Sequence, residues 1–122
     1  MKSGWKGEGG VAARRHEVVW APAARDDLDD VVRRIEDESP SQAARILHLI
    51  RARAQALELF PSRCRVVPEV KEWGVTSYRE LIVSPWRIVF RIEAGTIWVV
   101  AVVDGRRDME EVLLQRLIGG ME

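Results

Sequence analysis

One cysteine, Cys64, and two histidines, His16 and His48, leave this 122-residue chain poor in the side chains that most often carry chemistry. A lone thiol rules out an internal disulfide and a cysteine-based zinc site, and no metal or cofactor is expected. Without a disulfide framework, a reducing cytoplasm is the expected location. Long apolar runs are also missing. None approaches the roughly 18 residues that crossing a bilayer requires, so no membrane association is expected. Residues Met1 to Gly10 contain no apolar stretch of the kind a secretory signal needs. Net charge is zero, which weighs against the basic face that sequence-independent nucleic-acid binding depends on. Lysine is confined to Lys2, Lys6 and Lys71, so arginine supplies the remaining positive charge. High genomic GC content produces such a bias, and so does a use for planar guanidinium forks in gripping carboxylate or phosphate.

What is present reads as one globular domain over residues 16–120, preceded by a glycine-rich tail, 1–15, expected to be mobile. His16–Trp20 has the look of a short strand. Pro22 then suits the first turn of a helix whose apolar stripe is Ala24, Leu28, Val31, Val32 and Ile35. Asp26, Asp27, Asp29 and Asp30 crowd its early turns, with Arg33 and Arg34 in reach of Asp29 and Asp30 at i,i+4. Ser39-Pro40-Ser41-Gln42 is a second start signal, and Ala43, Ile46, Leu47, Ile50, Ala54 and Leu57 form the stripe behind it up to Phe60-Pro61. Two such helices joined by a short link predict an αα-hairpin that needs a sheet to cover its seam.

The second half supplies that sheet. A weak strand is predicted over Arg65–Val70, at an edge because Pro68 removes a ladder donor. Glu72-Trp73-Gly74-Val75 reads as a loop. Three stronger strands follow at Tyr78–Val83, Trp86–Ile92 and Thr96–Val103, with turns at Ser84-Pro85 and Glu93-Ala94-Gly95. Asp108-Met109-Glu110-Glu111 opens a last helix with Met109, Val112, Leu113 and Leu117 on one stripe, and Gly119-Gly120 is expected to stop it. The predicted fold is α+β: an N-terminal strand, an αα-hairpin on a mostly antiparallel sheet of four to five strands, and a C-terminal helix. The N-terminal strand is expected at one edge of the sheet and the terminal helix at the other.

Arg79, Arg87 and Arg107 punctuate these apolar ribbons, and an unpaired charge is costly to bury. Each must reach a carboxylate, solvent or a partner. Glu69 and Glu80 stand near Arg79 in sequence, and Asp104 and Asp108 are within reach of Arg87 and Arg107. Trp73 is the indole with least local reason for burial, so it is a candidate anchor for a protein partner, with folding back over the sheet as the alternative.

Trp20-Ala21-Pro22-Ala23-Ala24-Arg25-Asp26-Asp27-Leu28, Phe60-Pro61, Arg65-Val66-Val67-Pro68-Glu69, Tyr78-Arg79-Glu80-Leu81, Trp86-Arg87-Ile88-Val89-Phe90 and Asp104-Gly105-Arg106-Arg107-Asp108 follow one another in an order that resembles the RelE/ParE family of bacterial toxins. These are the toxin halves of type II toxin–antitoxin modules. The resemblance implies a growth inhibitor of the plasmid-stabilising kind, neutralised by a cognate antitoxin in a possible hetero-oligomer. RelE-like members cleave mRNA in the ribosomal A site with a basic cluster on the sheet and, in some, a tyrosine on the final helix. ParE-like members poison DNA gyrase by binding it.

Arg87 matches the arginine after an aromatic on the RelE-like strand, and Arg107 the one before the last helix. The basic pair of the preceding RelE-like strand falls near Tyr78 and Glu80, and the final-helix tyrosine at Leu113. Strand cleavage needs a proton carrier, and arginine, always protonated, is a poor one. The resemblance therefore leans toward ParE: a non-enzymatic inhibitor with Arg79, Arg87 and Arg107 as target contacts and Trp73 toward the antitoxin. A ribosome-dependent endonuclease using Arg87 and Arg107 is the first alternative. A non-toxic family member serving as a binding module is the second.

Overall fold

A computed structural model describes residues 15–121. The tail expected over 1–15 therefore lies, up to residue 14, outside the described residues. Strand β1 (Glu17–Trp20) leads through Ala21 into α1 (Pro22–Glu36), with Pro22 in the first turn as its fixed φ favours. Ala24, Leu28 and Val31 are the buried residues of its stripe. The link to α2 (Pro40–Gln55) closes on Ser39, whose Oγ accepts a hydrogen bond from the Gln42 N–H at 3.3 Å. This satisfies one of the donors a helix start leaves open. Ala43, Ile50 and Ala54 turn inward.

Beyond α2 the chain makes two single-turn 3₁₀ segments, Ala56–Glu58 and Pro61–Arg63. Between them Phe60 adopts a left-handed backbone with φ of 57° and ψ of 45°, and the Arg63 guanidinium stacks 4.4 Å from the centre of its ring. The weak strand expected over Arg65–Val70 is shorter than its sequence suggests. Only β2 (Arg65–Val66) pairs, and Pro68 opens a one-turn helix, α3 (Pro68–Lys71). A proline costs a strand its ladder donor but costs a helix start nothing, so the chain changes element there. The α3 end has paired bonds from Val75 N–H to Val70 C=O (3.0 Å) and from Gly74 N–H to Lys71 C=O (2.9 Å), with Gly74 at φ +81°. This is a Schellman closure, which calls for glycine at the left-handed position.

Strands β3 (Tyr78–Val83), β4 (Trp86–Glu93) and β5 (Thr96–Asp104) form the expected meander. Ala94 (φ 49°) and Gly95 (φ 81°) give the β4–β5 link two left-handed residues, the conformation that matches strand twist in a two-residue hairpin. The five-stranded sheet has the order β1-β5-β4-β3-β2, with β1 parallel to β5 and every other pair antiparallel.

A bulge shapes the core. Val89 pairs with Ala101 but Phe90 pairs with Val99, so Val100 is skipped and the side-chain alternation of β5 slips by one. Ile88, Val99 and Val102 consequently face the hairpin, packing with Ala24, Leu28, Val31 and Ile50. Val89, Ala101 and Val103 face the other way, onto Val67 and Val70 of the α3 region and Met109, Val112 and Leu113 of α4 (Met109–Met121). Each fully buried side chain of this size contributes about 1.5–3 kcal/mol.

The last helix thus covers the second face of the sheet and does not lie along an edge. Asp108 caps it, its Oδ1 accepting from the Glu111 N–H at 3.2 Å. It also continues through Gly119-Gly120, which were expected to end it. Leu117, the fourth residue of the expected stripe, lies outside the described side chains. Among the described residues no helix is long and apolar enough to cross a membrane.

Candidate functional site

Register decides where the arginines go. Arg79 lies opposite Phe90, and Arg87 lies opposite Ile82. Residues 79 and 82 differ by an odd number, so Arg79 and Arg87 project from opposite faces of the sheet. The three candidate target contacts do not form one cluster.

Arg87 stands on the face covered by α3 and α4, with its side chain only 12% exposed. Its Nη1 and Nη2 donate in parallel to Glu69 Oε2 and Oε1, both at 2.7 Å, and its Nε donates to Glu80 Oε1 at 2.6 Å. Glu80, whose side chain is wholly buried, uses its second oxygen to accept from Arg65 Nε at 2.5 Å. Two arginines and two glutamates thus close a neutral network beneath α3. Fork-to-fork geometry makes the Arg87–Glu69 pair directional as well as strong. The Arg87 hydrogen bond holds the Glu69 carboxyl below the usual carboxylate range against the opposing effect of burial. Arg87 is in turn held more firmly protonated, first by Glu69, then by Glu80.

Arg79, on the hairpin side, has a different task. Its Nη1 donates to the Cys64 carbonyl at 2.5 Å and the Ser62 carbonyl at 3.3 Å, tying the Pro61–Arg63 turn to β3. Glu69 and Glu80, which stand near it in sequence, belong instead to Arg87 and Arg65. Cys64 is partly buried, and that burial pushes its thiol upward against the pull of Arg79 and Arg53.

Arg107 is exposed in the link between β5 and α4, its backbone N–H bonded to the Asp104 carbonyl at 2.9 Å. Its guanidinium has no hydrogen-bond or ion-pair partner among the described residues. Asp104 is taken by Arg106, through Nε at 3.1 Å and Nη2 at 3.0 Å, and this draws the Asp104 carboxyl down to about 2. The link abuts the β3–β4 turn, where the Gly105 N–H meets the Pro85 carbonyl at 2.7 Å. Trp73 follows α3 just before Gly74 and is 47% exposed.

The groups able to move a proton lie elsewhere. His16 precedes β1, its ring Nδ1 3.4 Å from the Glu58 carbonyl, and His48 is exposed on α2. Tyr78 packs against the core between sheet and α4. No group of three or more His, Cys, Asp or Glu among the described residues is placed to hold a metal.

The residues that sequence reasoning missed are the partners. Glu80 sits diagonally across from Arg87, two residues from its opposite number, a neighbour relation countable from the tight Ser84-Pro85 turn. Glu69, which the sequence offers to Arg79, is carried to Arg87 instead by the helical turn that stands in place of the expected strand.

An N-terminal strand, a helical hairpin, a mostly antiparallel sheet and a C-terminal helix are consistent with a RelE/ParE-like fold. The fold is similar to that of a chain from a chromosomal ParDE toxin–antitoxin system of P. aeruginosa, with a TM-score of 0.63 and 18% identity over 75% of this chain and 97% of that one. No curated protein matches at a significant level. The family profile described as ParE toxin of type II toxin–antitoxin system, parDE, matches residues 18–109, and the chain belongs to that family. A cognate antitoxin is accordingly its partner.

Proposed function

We propose that this toxin arrests growth by binding a target protein such as DNA gyrase, and that it does not cut RNA. The observation that carries the reading is the occupancy of Arg87. Its fork already holds Glu69, and its Nε holds Glu80. To grip a scissile phosphate it would have to surrender the half-buried Glu69 and leave the buried Glu80 with Arg65 as its remaining cation. Arg107 is the arginine of the set that remains exposed, at the same end of the sheet as the β3–β4 turn, and it is the primary target contact. Arg87 and Arg79 act as positioning residues that hold α3 and the Pro61–Arg63 turn. Trp73, at the end of α3, faces the antitoxin, which lays an amphipathic segment across the hairpin and sheet.

Induction without antitoxin tests this reading. Growth should stop while translated messages stay intact in primer-extension maps, and the purified protein should inhibit supercoiling by gyrase in vitro. Arg107→Ala should weaken that inhibition about tenfold or more while leaving the fold intact. Ribosome-dependent cleavage of the message would replace this mechanism with the nuclease one. Unimpaired growth would point to a binding module without toxicity.

A further inference from the structure

We propose that the turn after α2 is a landing site for a single-stranded nucleic acid, built from Phe60, Arg53, Arg63 and Arg79. The inference stands apart from the choice of target, because Arg79 and this turn lie on the opposite face of the sheet from Arg87.

The zero net charge of the chain conceals a division along it. Residues 22–38 hold seven acids and three arginines, whereas residues 40–65 hold five arginines and one acid, Glu58. Of those five arginines, Arg65 alone lies against a carboxylate among the described residues. Arg53, at the end of α2, and Arg63, in the Pro61–Arg63 turn, are both exposed. Arg79 reaches the same turn from β3. The Ser62 and Cys64 carbonyls accept from its Nη1 without neutralising its charge. Arg53 and Arg79 both act on the Cys64 thiol, which puts them around one point. Three cations therefore surround this turn, none with a carboxylate within 4.0 Å among the described residues.

Phe60 supplies the other half. Its φ of 57° and ψ of 45° put a β-carbon where glycine sits more freely, and this strained residue is 49% exposed. The Arg63 guanidinium lies 4.4 Å from the centre of its ring. A ring and a planar cation stacked in the open form a flat platform on which bases stack, while neighbouring cations meet the phosphates. An acidic peptide would match the cations, but few of its side chains have a face to lay on the platform. A duplex would match them too, but its bases are closed to the ring. The ligand class is therefore an unpaired nucleic-acid strand.

The test is fluorescence anisotropy of the full chain with labelled oligothymidine and oligouridine of about 12 nucleotides, across a range of salt concentrations. Three phosphate contacts should give log K against log salt a slope of about −2. Arg53→Gln/Arg63→Gln should bring that slope to about −0.7 and weaken binding roughly tenfold or more. Phe60→Ala should keep the slope and lose about fivefold or more in affinity. An abasic strand should bind the unaltered chain with the same loss, which repeats the result without altering the turn. Arg53 and Arg63 are exposed, so unchanged thermal melts are expected, and they separate lost contacts from lost fold. Binding of either strand supports the site, and the tighter one names the nucleic acid. Absence of binding at low salt, or equal binding by the variants and the unaltered chain, would overturn the proposal. Displacement of the strand by oligoglutamate at matched charge, or tighter binding of a duplex, would overturn the choice of occupant.

Discussion

At the scale of single residues, Arg87 and Arg107 carry the same charge and opposite assignments. Arg87 is enclosed by Glu69 and Glu80, so truncating it strips Glu69 of its cation and leaves the buried Glu80 with Arg65 alone. Breaking a buried pair from one side costs about 3–5 kcal/mol. Arg87→Ala should therefore lower stability by an amount of that order in urea titrations, whereas Arg107→Ala should stay within about 0.5 kcal/mol. Equal stability in the two variants would contradict the network. Glu69 adds a pH signature. Its folded-state carboxyl titrates below the ordinary 4.5, so its contribution is complete above that pH and is lost as pH falls through the depressed folded value. Glu69→Gln should be less stable at neutral pH and lose less on acidification, which urea midpoints at pH 7 and near pH 3 would show.

At the scale of elements, α3 is too short to stand on propensity. It persists because Val67 and Val70 are buried against α4, Glu69 is held by Arg87, and Gly74 closes it. A Cβ at Gly74 would meet nothing within 4 Å, so any cost of Gly74→Ala comes from the φ of +81° alone. That cost is about 1–2 kcal/mol, readable as a lower urea midpoint, and no change would mean the Schellman closure is unimportant. Sequence reasoning located this segment but assigned it the wrong element, because Arg65-Val66-Val67 reads as strand and one turn of helix leaves no periodicity to detect. The last helix, α4, packs against the sheet and the α3 region through Met109, Val112 and Leu113, and its backbone continues through a glycine pair.

At the scale of the molecule, the two helical layers are joined around one edge of the sheet. Strand β1 pairs with Thr96–Val99 only, leaving the later half of β5 uncovered on that side. There Asp27 Oδ2 accepts from the Val102 N–H at 2.9 Å and its Oδ1 accepts from Arg116 Nη2 at 2.6 Å, while Arg116 Nη1 donates to the Val100 carbonyl at 2.7 Å. One aspartate from α1 and one arginine from α4 thus satisfy the exposed strand edge from opposite faces, a protection such edges require. Asp27→Ala should cost about 1–3 kcal/mol and speed hydrogen exchange at the Val102 amide, measured by nuclear magnetic resonance. Unaltered exchange there would remove the clasp. Asp27 was read from sequence as one of several acids favoured by the helix dipole, and the described ion pair within α1 is Arg33 with Asp30 at i,i+3, 3.4 Å apart.

Spacing along the chain was enough for the hairpin, the three-strand meander and the last helix, the Ser39 and Asp108 caps and the family likeness, since each depends on residues a few positions apart. The partners of the arginines were not available in that way. Arg87 meets Glu69 across 18 positions, and Arg116 meets Asp27 across 89. Such pairings depend on strand register, on the bulge at Val100 and on which face each helix covers. Hydrophobic periodicity is local, whereas a charge is satisfied by whatever the assembled fold brings within about 3 Å of it.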